Sequence, residues 1–327
     1  MPDTSRPDRN LAMELVRTTE AAALAAAKWQ GRGQKEPGDQ AAVDAMRTML
    51  STVEVDGRVV IGEGEKDEAP MLFNGEQVGT GHPPQVDIAV DPVDGTRLLA
   101  EGRPGSLALI AAAPRGTMFD PGPCVYMEKM VVGPEARGMI DLDAPLPRNL
   151  DRIARATGKP LDEITVVMLD RPRHEDAKKV IREAGARLQL IRDGDVAAAI
   201  LAAWVERPAV DLLYGIGGTP EGVSTAAAVK ALGGEILGRL WPRDDAERQA
   251  ALDLGYDLDA VLTTDDLVSG PDAFFACTGI TPGQLVSGVQ YDKHGAITES
   301  LVMRSKSGTV RMIQARHRTS KVDVYTD

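Results

Sequence analysis

The sequence predicts an α/β protein built in layers, and two patterns carry this prediction. In the second half of the chain, apolar strand-like runs alternate with helix-like segments, which is typical of α/β folds. In the first half, two helices precede a series of short strands that are bounded by Gly, Pro or Asp. The 327 residues are 43% hydrophobic and 26% charged, which is the composition of a globular chain of about two domains.

The chain is expected to open with a helical hairpin. An alanine-rich helical pattern runs from Leu11 to Trp29 and stops at the glycines of residues 31–33. A second helix is predicted to start at Asp39, because Asp is a good N-cap and apolar residues follow it at helical spacing. The strands predicted next are Arg58–Ile61, Val86–Val90, Leu107–Ala112 and Lys129–Val132.

A polar, proline-containing connection near residues 141–160 predicts a domain boundary, with one domain over 1–150 and a second over 151–327. The second domain is predicted to alternate strands at 164–169, 188–191 and 210–214 with helices at 174–184, 195–205 and 220–232, the last with Thr219 as its N-cap. Residues 273–317 are predicted to form strands, with turns at Gly279, Gly295 and Gly308. The segment 240–257 is interpreted as a peripheral helix with no assigned function.

The overall charge bears on the binding partners of the protein. Lys and Arg total 37 against 49 Asp and Glu, a formal net charge of −12, which argues against a nucleic-acid binder and at first reading against a phosphorylated substrate. The longest apolar run covers only residues 196–205, whereas a membrane span needs about 20 residues. The polar start of the chain shows no signal peptide, so a cytoplasmic protein is predicted. Cys124 and Cys277 are interpreted as buried thiols rather than a disulfide.

Acidic residues collect where two predicted strands stop. Residues 62–68 hold four carboxylates beside two glycines, and Asp91 and Asp94 follow the strand at 86–90. A strand that ends in Asp-Pro points Asp91 off the sheet edge, and a turn over 93–95 brings Asp94 back to the same side. Each motif alone fits a solvated loop, but together they suit Mg²⁺ or Mn²⁺ and attack on a phosphoryl group.

The segment Asp91–Thr96, which reads Asp-Pro-Val-Asp-Gly-Thr, resembles the signature of the lithium-sensitive, metal-dependent sugar phosphatase superfamily, which includes inositol monophosphatases and fructose-1,6-bisphosphatases. Other segments are similar to class II fructose-1,6-bisphosphatases in particular: 19–22, 28–33, 60–72, 126–129, 171–174, 193–197, 214–222 and 276–281. These segments occur in family order from about residue 11 to 317. The resemblance implies an α/β layered sandwich with the sugar-phosphatase fold, an N-terminal α+β metal-binding domain and a C-terminal α/β substrate-binding domain.

The resemblance also implies the roles of individual residues. The implied ligands of Mg²⁺ or Mn²⁺ are Asp39, Glu63, Asp91, Asp94 and Glu221. The implied catalytic residues are Asp67 near the attacking water, Thr96 orienting that water, and Lys35 near the metals. The implied substrate-binding residues are Asp94, Gly95, Thr96, Tyr126, Arg171, Pro172, Arg173, Asp193, Gly194, Asp195 and Gly218.

The activity that the resemblance implies is hydrolysis of the C1 phosphate of fructose 1,6-bisphosphate, a gluconeogenic reaction, by a homodimer or homotetramer. Sedoheptulose 1,7-bisphosphatase or dual sugar bisphosphatase activity remains an open alternative, and a non-catalytic phosphosugar sensor is less favoured because the acidic set is complete. Two positions depart from the family pattern: Gln34 stands in place of an acid, and Asp94 stands where some members carry Glu. His174 is interpreted as a helix-start residue rather than a base.

Overall fold

The computed structural model describes residues 11–63, 72–207 and 209–318, and its helices and strands are built around two β-sheets. The helices are α1 Ala12–Ala27, α2 Glu36–Leu50, α3 Thr96–Glu101, α4 Leu146–Thr157, α5 Glu175–Glu183, α6 Val196–Ala203, α7 Thr219–Leu232, α8 Asp245–Asp253 and α9 Thr264–Leu267. The strands are β1 Asp56–Ile61, β2 Gln77–Val78, β3 Gln85–Asp94, β4 Leu107–Pro114, β5 Tyr126–Val132, β6 Thr165–Leu169, β7 Arg187–Ile191, β8 Leu212–Gly218, β9 Glu235–Leu240, β10 Phe274–Gly279, β11 Gln290–Asp292, β12 Gly295–Arg304 and β13 Thr309–Arg318.

The first sheet runs in the order β11-β12-β10-β4-β3-β1-β2, and β13 pairs with β12. Strands β1 and β3 are parallel, whereas β3 and β4, β4 and β10, and β10 and β12 are antiparallel. Strand β4 lies near the middle of this order and is buried from Leu107 to Ala113. Its nearly continuous apolar sequence fits a strand that is covered on both faces.

The second sheet has the order β7-β6-β8-β5-β9. Here β6 is parallel to β7 and β8, and β5 is antiparallel to β8 and β9. The predicted domain boundary near residue 150 does not coincide with the division between the sheets. The chain enters the second sheet already at β5 and returns to the first sheet with β10 to β13, because strand pairing joins segments that are distant in sequence.

Helices separate and cover the two sheets, so the molecule has five layers. Helices α1 and α2 pack on the outer face of the first sheet through a core that contains Leu15, Met46 and Ile88. Helices α6 and α7 lie between the sheets, and α4 and α5 cover the outer face of the second sheet. The prediction of α/β layers is confirmed in this α-β-α-β-α order.

Two helix starts differ from the sequence prediction. Helix α2 begins at Glu36 rather than Asp39, with a proline in its first turn, where the missing N–H of proline costs nothing. Asp39 therefore lies inside the helix instead of capping it. Helix α7 begins at Thr219, so that Gly218, not Thr219, is the N-cap residue.

Cys124 and Cys277 are free and buried. Within the described ranges, no helix is long and apolar enough to cross a membrane.

A half-buried carboxyl on α1, that of Glu20, lies beside β12 of the first sheet and gives a testable stability effect. The Thr298 hydroxyl on β12 lies 3.5 Å from Glu20 Oε1 and 2.8 Å from His317 Nε2. Burial raises the pKa of Glu20 to about 7, although the hydrogen bond from Thr298 and the charge of Arg17 lower it. A folded-state pKa above the unfolded value means that this group favours folding at low pH, and that the benefit is lost as pH rises through 7.

Replacement of Glu20 by Gln is therefore expected to raise the free energy of unfolding at pH 8 by about 1–3 kcal/mol, because the uncharged amide avoids the cost of burying a carboxylate. At pH 5, where the native carboxyl is protonated, the gain should be much smaller. Thermal unfolding of both proteins at the two pH values measures this difference. An equal gain at pH 5 and pH 8 would show that burial of the Glu20 charge is not its cause.

Candidate active site

A β-bulge in β3 brings two carboxylates to the same side of the first sheet. Asp91 pairs with Leu109 and Asp94 with Leu107, so three steps along β3 match two steps along β4. Such an extra residue bends the strand and redirects its side chains. The sequence predicts a turn at 93–95 after a strand that ends at Val90, but the structure continues β3 through Asp94 and uses the bulge instead. Both carboxylates still line one cavity, as predicted.

The chain turns sharply after the bulge and enters α3. Gly95 adopts φ +85°, a left-handed conformation that glycine accepts without strain. Thr96 follows as the first residue of α3, and its hydroxyl lies 3.2 Å from the carbonyl oxygen of Val93. The Thr96 side chain is also close enough to the Asp39 carboxyl to lower its pKa, which places α2 beside this site.

Two further acids come from the segment after β1 and from α7. The Glu63 N–H donates to the carbonyl oxygen of Leu72 at 2.9 Å, which fixes the backbone just before residues 64–71, outside the described ranges. Glu221 lies in the first turn of α7 and folds back onto the backbone at its start. A β-carbon on Gly218 would lie 1.7 Å from Glu221 Oε2, so only glycine permits this arrangement.

The loop that follows β7 approaches the bulge from the second sheet. Gly194 has φ +65°, and a β-carbon there would lie 3.1 Å from Asp94 Oδ1. Beside it, Asp193 Oδ2 accepts a hydrogen bond from the Arg97 N–H at 3.4 Å, and Asp193 Oδ1 accepts one from Arg171 Nη2 at 3.0 Å. These contacts join the two sheets across the cavity and hold the loop beside Asp94.

The site contains a buried cation that the sequence analysis missed. Lys129 on β5 is only 1% exposed, and its Nζ lies 2.8 Å from Asp195 Oδ2. Its Nζ also donates to the Gly218 carbonyl oxygen at 3.2 Å. A lysine in the middle of a strand was a usable signal, because a lysine is rarely buried unless it is paired.

Two arginines and a tyrosine lie close together on the side of the cavity formed by the second sheet. The Arg173 guanidinium lies 4.9 Å from the ring centroid of Tyr126 and donates from Nε and Nη2 to the carbonyl oxygen of Ile216, at 3.2 and 2.7 Å. The Arg171 guanidinium reaches the carbonyl oxygen of Arg192 as well as Asp193. Both arginines are therefore held in place by the chain itself.

One cavity of about 350 Å³ gathers most of the predicted site residues. Its lining includes Glu63, Asp91, Asp94, Gly95, Thr96, Tyr126, Arg171, Arg173, Asp193, Gly194, Asp195, Gly218 and Glu221. Asp39 stands beside it through Thr96. Two further predicted residues are not part of this lining: Lys35 is exposed directly before α2, and Pro172 lies in a short turn between the arginines. Asp67 lies outside the described residues.

The carboxylates of the cavity raise one another's pKa values. Burial raises the pKa of Asp91 well above its usual value, and the charges of Asp94, Glu63, Glu221 and Asp39 add to this effect. Burial raises the pKa of Asp94 in the same way, with repulsion from its acidic neighbours, whereas Lys129 lowers it.

The acids that come from the other elements show the same trend. Burial first, and then Asp39 and Glu221, raise the pKa of Glu63 to about 7. The pKa of Asp39 rises to about 6, chiefly through burial. Burial also raises the pKa of Glu221, against the opposing charge of Lys129. So many like charges in one place favour a bound cation.

The donor set is suited to a hard divalent cation. Asp94 Oδ2 and Glu221 Oε2 are buried and have no hydrogen-bond partner among the described residues. Buried carboxylate oxygens that lack a donor are costly unless a cation compensates them. Within the same ranges, no three His, Cys, Asp or Glu side chains are placed as a complete metal-binding group. The buried carboxylate oxygens are nevertheless hard donors of the kind that divalent cations prefer.

His174 lies next to the arginines but acts as a structural residue. It is buried, its Nδ1 lies 2.7 Å from the Leu169 carbonyl oxygen, and its Nε2 accepts from the Ile216 N–H at 2.8 Å. Burial lowers its pKa, with a smaller opposing effect of the hydrogen bond to Leu169. Because both ring nitrogens are engaged, neither is available as a base, in agreement with the sequence interpretation.

Comparison with known proteins identifies the family. Residues 9–317 match the family of bacterial fructose-1,6-bisphosphatases encoded by glpX. The chain is 46% identical over 328 residues to fructose-1,6-bisphosphatase 1 class 2 of Escherichia coli K12, covering 96% of this chain and 97% of that protein. The class 2 fructose-1,6-bisphosphatases of E. coli O6:H1 and Shigella flexneri match it with the same identity and coverage.

Among solved structures, an extragenic suppressor from Pyrococcus furiosus matches 58% of this chain and 68% of its own, with 14% identity and a TM-score of 0.28. This likeness is too low to support any conclusion about the fold. The match to the family and the identity to the E. coli protein both extend over nearly the whole chain. The chain belongs to the class II fructose-1,6-bisphosphatase family.

Proposed function

We propose that this protein hydrolyses the C1 phosphate of fructose 1,6-bisphosphate to give fructose 6-phosphate and inorganic phosphate, as its family membership indicates, and that it serves gluconeogenesis in the cytoplasm. The observation that carries the proposal is the composition of one cavity, which combines a buried acidic cluster with two fixed arginines and Tyr126. An acidic cluster alone would repel a phosphorylated sugar. The arginines supply the positive charge that a substrate with a second phosphate requires.

The acidic part of the cavity is proposed to hold Mg²⁺ or Mn²⁺ through Asp39, Glu63, Asp91, Asp94 and Glu221. When bound, such cations neutralise phosphoryl oxygens and lower the pKa of water. The support for this assignment is the pair of buried, unpartnered oxygens on Asp94 and Glu221, together with the raised pKa values of the five acids.

Thr96 is proposed to orient the attacking water. Its hydroxyl lies between two acceptors, the Val93 carbonyl oxygen and the Asp39 carboxylate. A hydroxyl in this position accepts a hydrogen bond from water while it donates its own proton to one of these two groups, so it can relay a proton to Asp39. Asp67 and Lys35 are proposed, from the resemblance alone, to assist near the same water and the metals.

The substrate is proposed to lie along the cavity with its C1 phosphate at the start of α3. There, Asp94, Gly95 and Thr96 contact this phosphate, chiefly through backbone N–H groups. The sugar is proposed to contact Asp193, Gly194, Asp195 and Gly218. The second phosphate is proposed to bind Arg171 and Arg173, beside Pro172 and Tyr126, because a guanidinium pairs with phosphate through two parallel hydrogen bonds.

Two features of the whole molecule complete this proposal. The five layers are proposed to be the sugar-phosphatase fold that inositol monophosphatases share, with the active site between the two sheets. The protein is also proposed to form a homodimer or homotetramer. Both features follow from the resemblance that the sequence motifs carry.

The function is tested by phosphate release from a panel of substrates, with Mg²⁺ or Mn²⁺ and then with a chelator. We expect hydrolysis of fructose 1,6-bisphosphate that stops on chelation and returns when metal is restored. Sedoheptulose 1,7-bisphosphate measures the alternative activity, and inositol monophosphate measures the broader superfamily activity. Binding of the bisphosphate without release of phosphate, with either metal present, would instead favour a phosphosugar sensor.

Substitution of Arg173 by Ala is expected to raise KM for fructose 1,6-bisphosphate by about 10–100-fold, because a charged hydrogen bond to phosphate is lost. Fructose 1-phosphate lacks the second phosphate, so its kcat/KM should be unchanged. Arg207→Ala is the matched control, since Arg207 also stacks on an aromatic ring, Trp204, at 4.9 Å, but lies outside the cavity. An equal loss for both sugar phosphates would contradict the assignment of Arg173 to the second phosphate.

A further inference from the structure

The segment after β9 contacts the strand that carries Tyr126. Trp241 directly follows β9, and its N–H donates to the Tyr126 carbonyl oxygen at 2.9 Å, which extends the pairing of β9 with β5 by one residue. The two rings meet edge to face, with centroids 6.3 Å apart and planes at 70°. This is the arrangement in which one aromatic ring stabilises the position of another. The Trp241 ring therefore restricts the orientation of the Tyr126 ring.

The helix that follows contacts the residue just before β5. Glu247 on α8 is buried, and its Oε1 accepts the Val125 N–H at 2.8 Å. Its other oxygen accepts hydrogen bonds from the backbone and side chain of Arg243. Residues 241–247 thus form a clamp on residues 125–126. The segment 240–257, to which the sequence assigned no function, therefore contacts the residues at the start of β5.

Tyr126 passes this positioning on to Arg173. The Arg173 guanidinium lies over the Tyr126 ring, and Nε and Nη2 are bonded to Ile216. Nη1 is the guanidinium nitrogen that has no partner among the described residues. Rotation of the Tyr126 ring would remove the aromatic face against which the Arg173 guanidinium packs. The order of contacts is therefore Trp241 to Tyr126 to Arg173, and only the last two residues line the cavity.

We propose that Trp241 is a positioning residue for the second phosphate of the substrate, acting through the ring of Tyr126 on the guanidinium of Arg173. The inference rests on the proposed role of Arg173 in binding that phosphate. Trp241 is 37% exposed and lies outside the cavity lining, so it does not contact the substrate there. Its effect should be confined to substrates that carry the second phosphate, and it should alter binding rather than the chemical step.

The test compares Trp241→Leu with Trp241→Phe on fructose 1,6-bisphosphate and on fructose 1-phosphate, with metal present. For Trp241→Leu we expect KM for the bisphosphate to rise about five- to tenfold, in line with the loss of one aromatic pair and a weakened cation–π contact. Its kcat, and its kcat/KM for fructose 1-phosphate, should stay within about twofold of the original values. Trp241→Phe keeps an aromatic edge and should restore most of the affinity.

Trp204→Leu is the matched control, because Trp204 packs against a different arginine, Arg207, and lies outside the cavity. It should leave both substrates unaffected. In an Arg173→Ala background, Trp241→Leu should add nothing further to KM. A uniform loss on both substrates, or an additive loss in that background, would overturn the role of Trp241. Failure of the unsubstituted protein to release phosphate would instead overturn the proposed function.

Discussion

Substitution of Asp91 by Asn is expected to lower kcat for fructose 1,6-bisphosphate by at least about a hundredfold, and at the same time to stabilise the metal-free protein. The two effects have one cause. Partial burial, and then four neighbouring carboxylates, raise the pKa of Asp91, so its charge opposes folding unless a cation is bound. The amide keeps an oxygen that can accept the Val93 N–H, now 3.0 Å from Asp91 Oδ1.

The sign of the pH dependence follows from the raised pKa. A buried acid whose folded pKa exceeds its unfolded value favours folding at low pH, and this benefit is lost as the pH rises through the folded pKa. In chelator, the unsubstituted protein should therefore lose stability as the pH rises above the usual range of a carboxyl group. The Asn variant should lose less, and addition of Mg²⁺ should stabilise the unsubstituted protein more than the variant.

Asp87→Asn is the matched control for this experiment. Asp87 lies on the same strand and is buried, but its Oδ2 accepts three backbone N–H groups, those of Gly116, Thr117 and Met118. Its charge is satisfied by donors, so its replacement should destabilise the protein in chelator. Thermal unfolding and phosphate release are measured on all three proteins. Destabilisation by Asp91→Asn in chelator would contradict a repulsive acidic cluster.

Replacement of Lys129 by Met is expected to lower the free energy of unfolding by about 3–5 kcal/mol, because it leaves the buried carboxylate of Asp195 without a counter-charge. The loss is large since Lys129 and Asp195 are both almost completely inaccessible to solvent. Substrate binding should weaken as well, because Asp195 and the Gly218 carbonyl lose the group that positions them. Chemical denaturation and KM measurements report the two effects separately.

The double variant Lys129→Met/Asp195→Asn tests whether the loss of stability comes from an unpaired charge or from lost packing. It should recover much of the stability without recovering substrate affinity, because Asp195 no longer carries an unpaired charge while the proposed sugar contact is still altered. Lys159→Met is the matched control, since Lys159 forms an ion pair with Asp211 at 2.6 Å, and this pair does not line the cavity. Equal stability of the single and double Lys129 variants would show that the lysine is not needed as a counter-charge.

The part of the acidic centre that the sequence alone places together is the part whose residues are close in the chain. Asp91, Asp94 and Thr96 fall within one short motif, and their convergence needs only local backbone geometry. The nature of that geometry was not predictable, since a bulge depends on how β3 pairs with β4, and β4 lies further along the chain. The place of Asp39 in the site could not be predicted for the same reason, because its proximity to Thr96 depends on how α2 packs against β3.

The parts of the site that escaped prediction are those that depend on distant pairing. Lys129 is buried because β8 and β9 flank β5 on both sides, and neither of these strands is near residue 129 in sequence. Trp241 faces Tyr126 for the same reason. The division of the chain into two halves near residue 150 likewise follows a change in sequence pattern, whereas the sheets follow hydrogen bonding between residues more than 100 positions apart.

The return of the chain to the first sheet has a consequence for biosynthesis. Strand β4 ends at Pro114, but its partner β10 starts only at Phe274. Its other neighbour, β3, has already been made, so one edge of this apolar strand lacks its partner. At about 5–20 residues per second of synthesis, that edge stays unpaired for roughly 10–30 s. All strands of the second sheet emerge during that delay. The nascent chain therefore completes the second sheet first, and β4 is the segment that most needs protection by chaperones until translation ends.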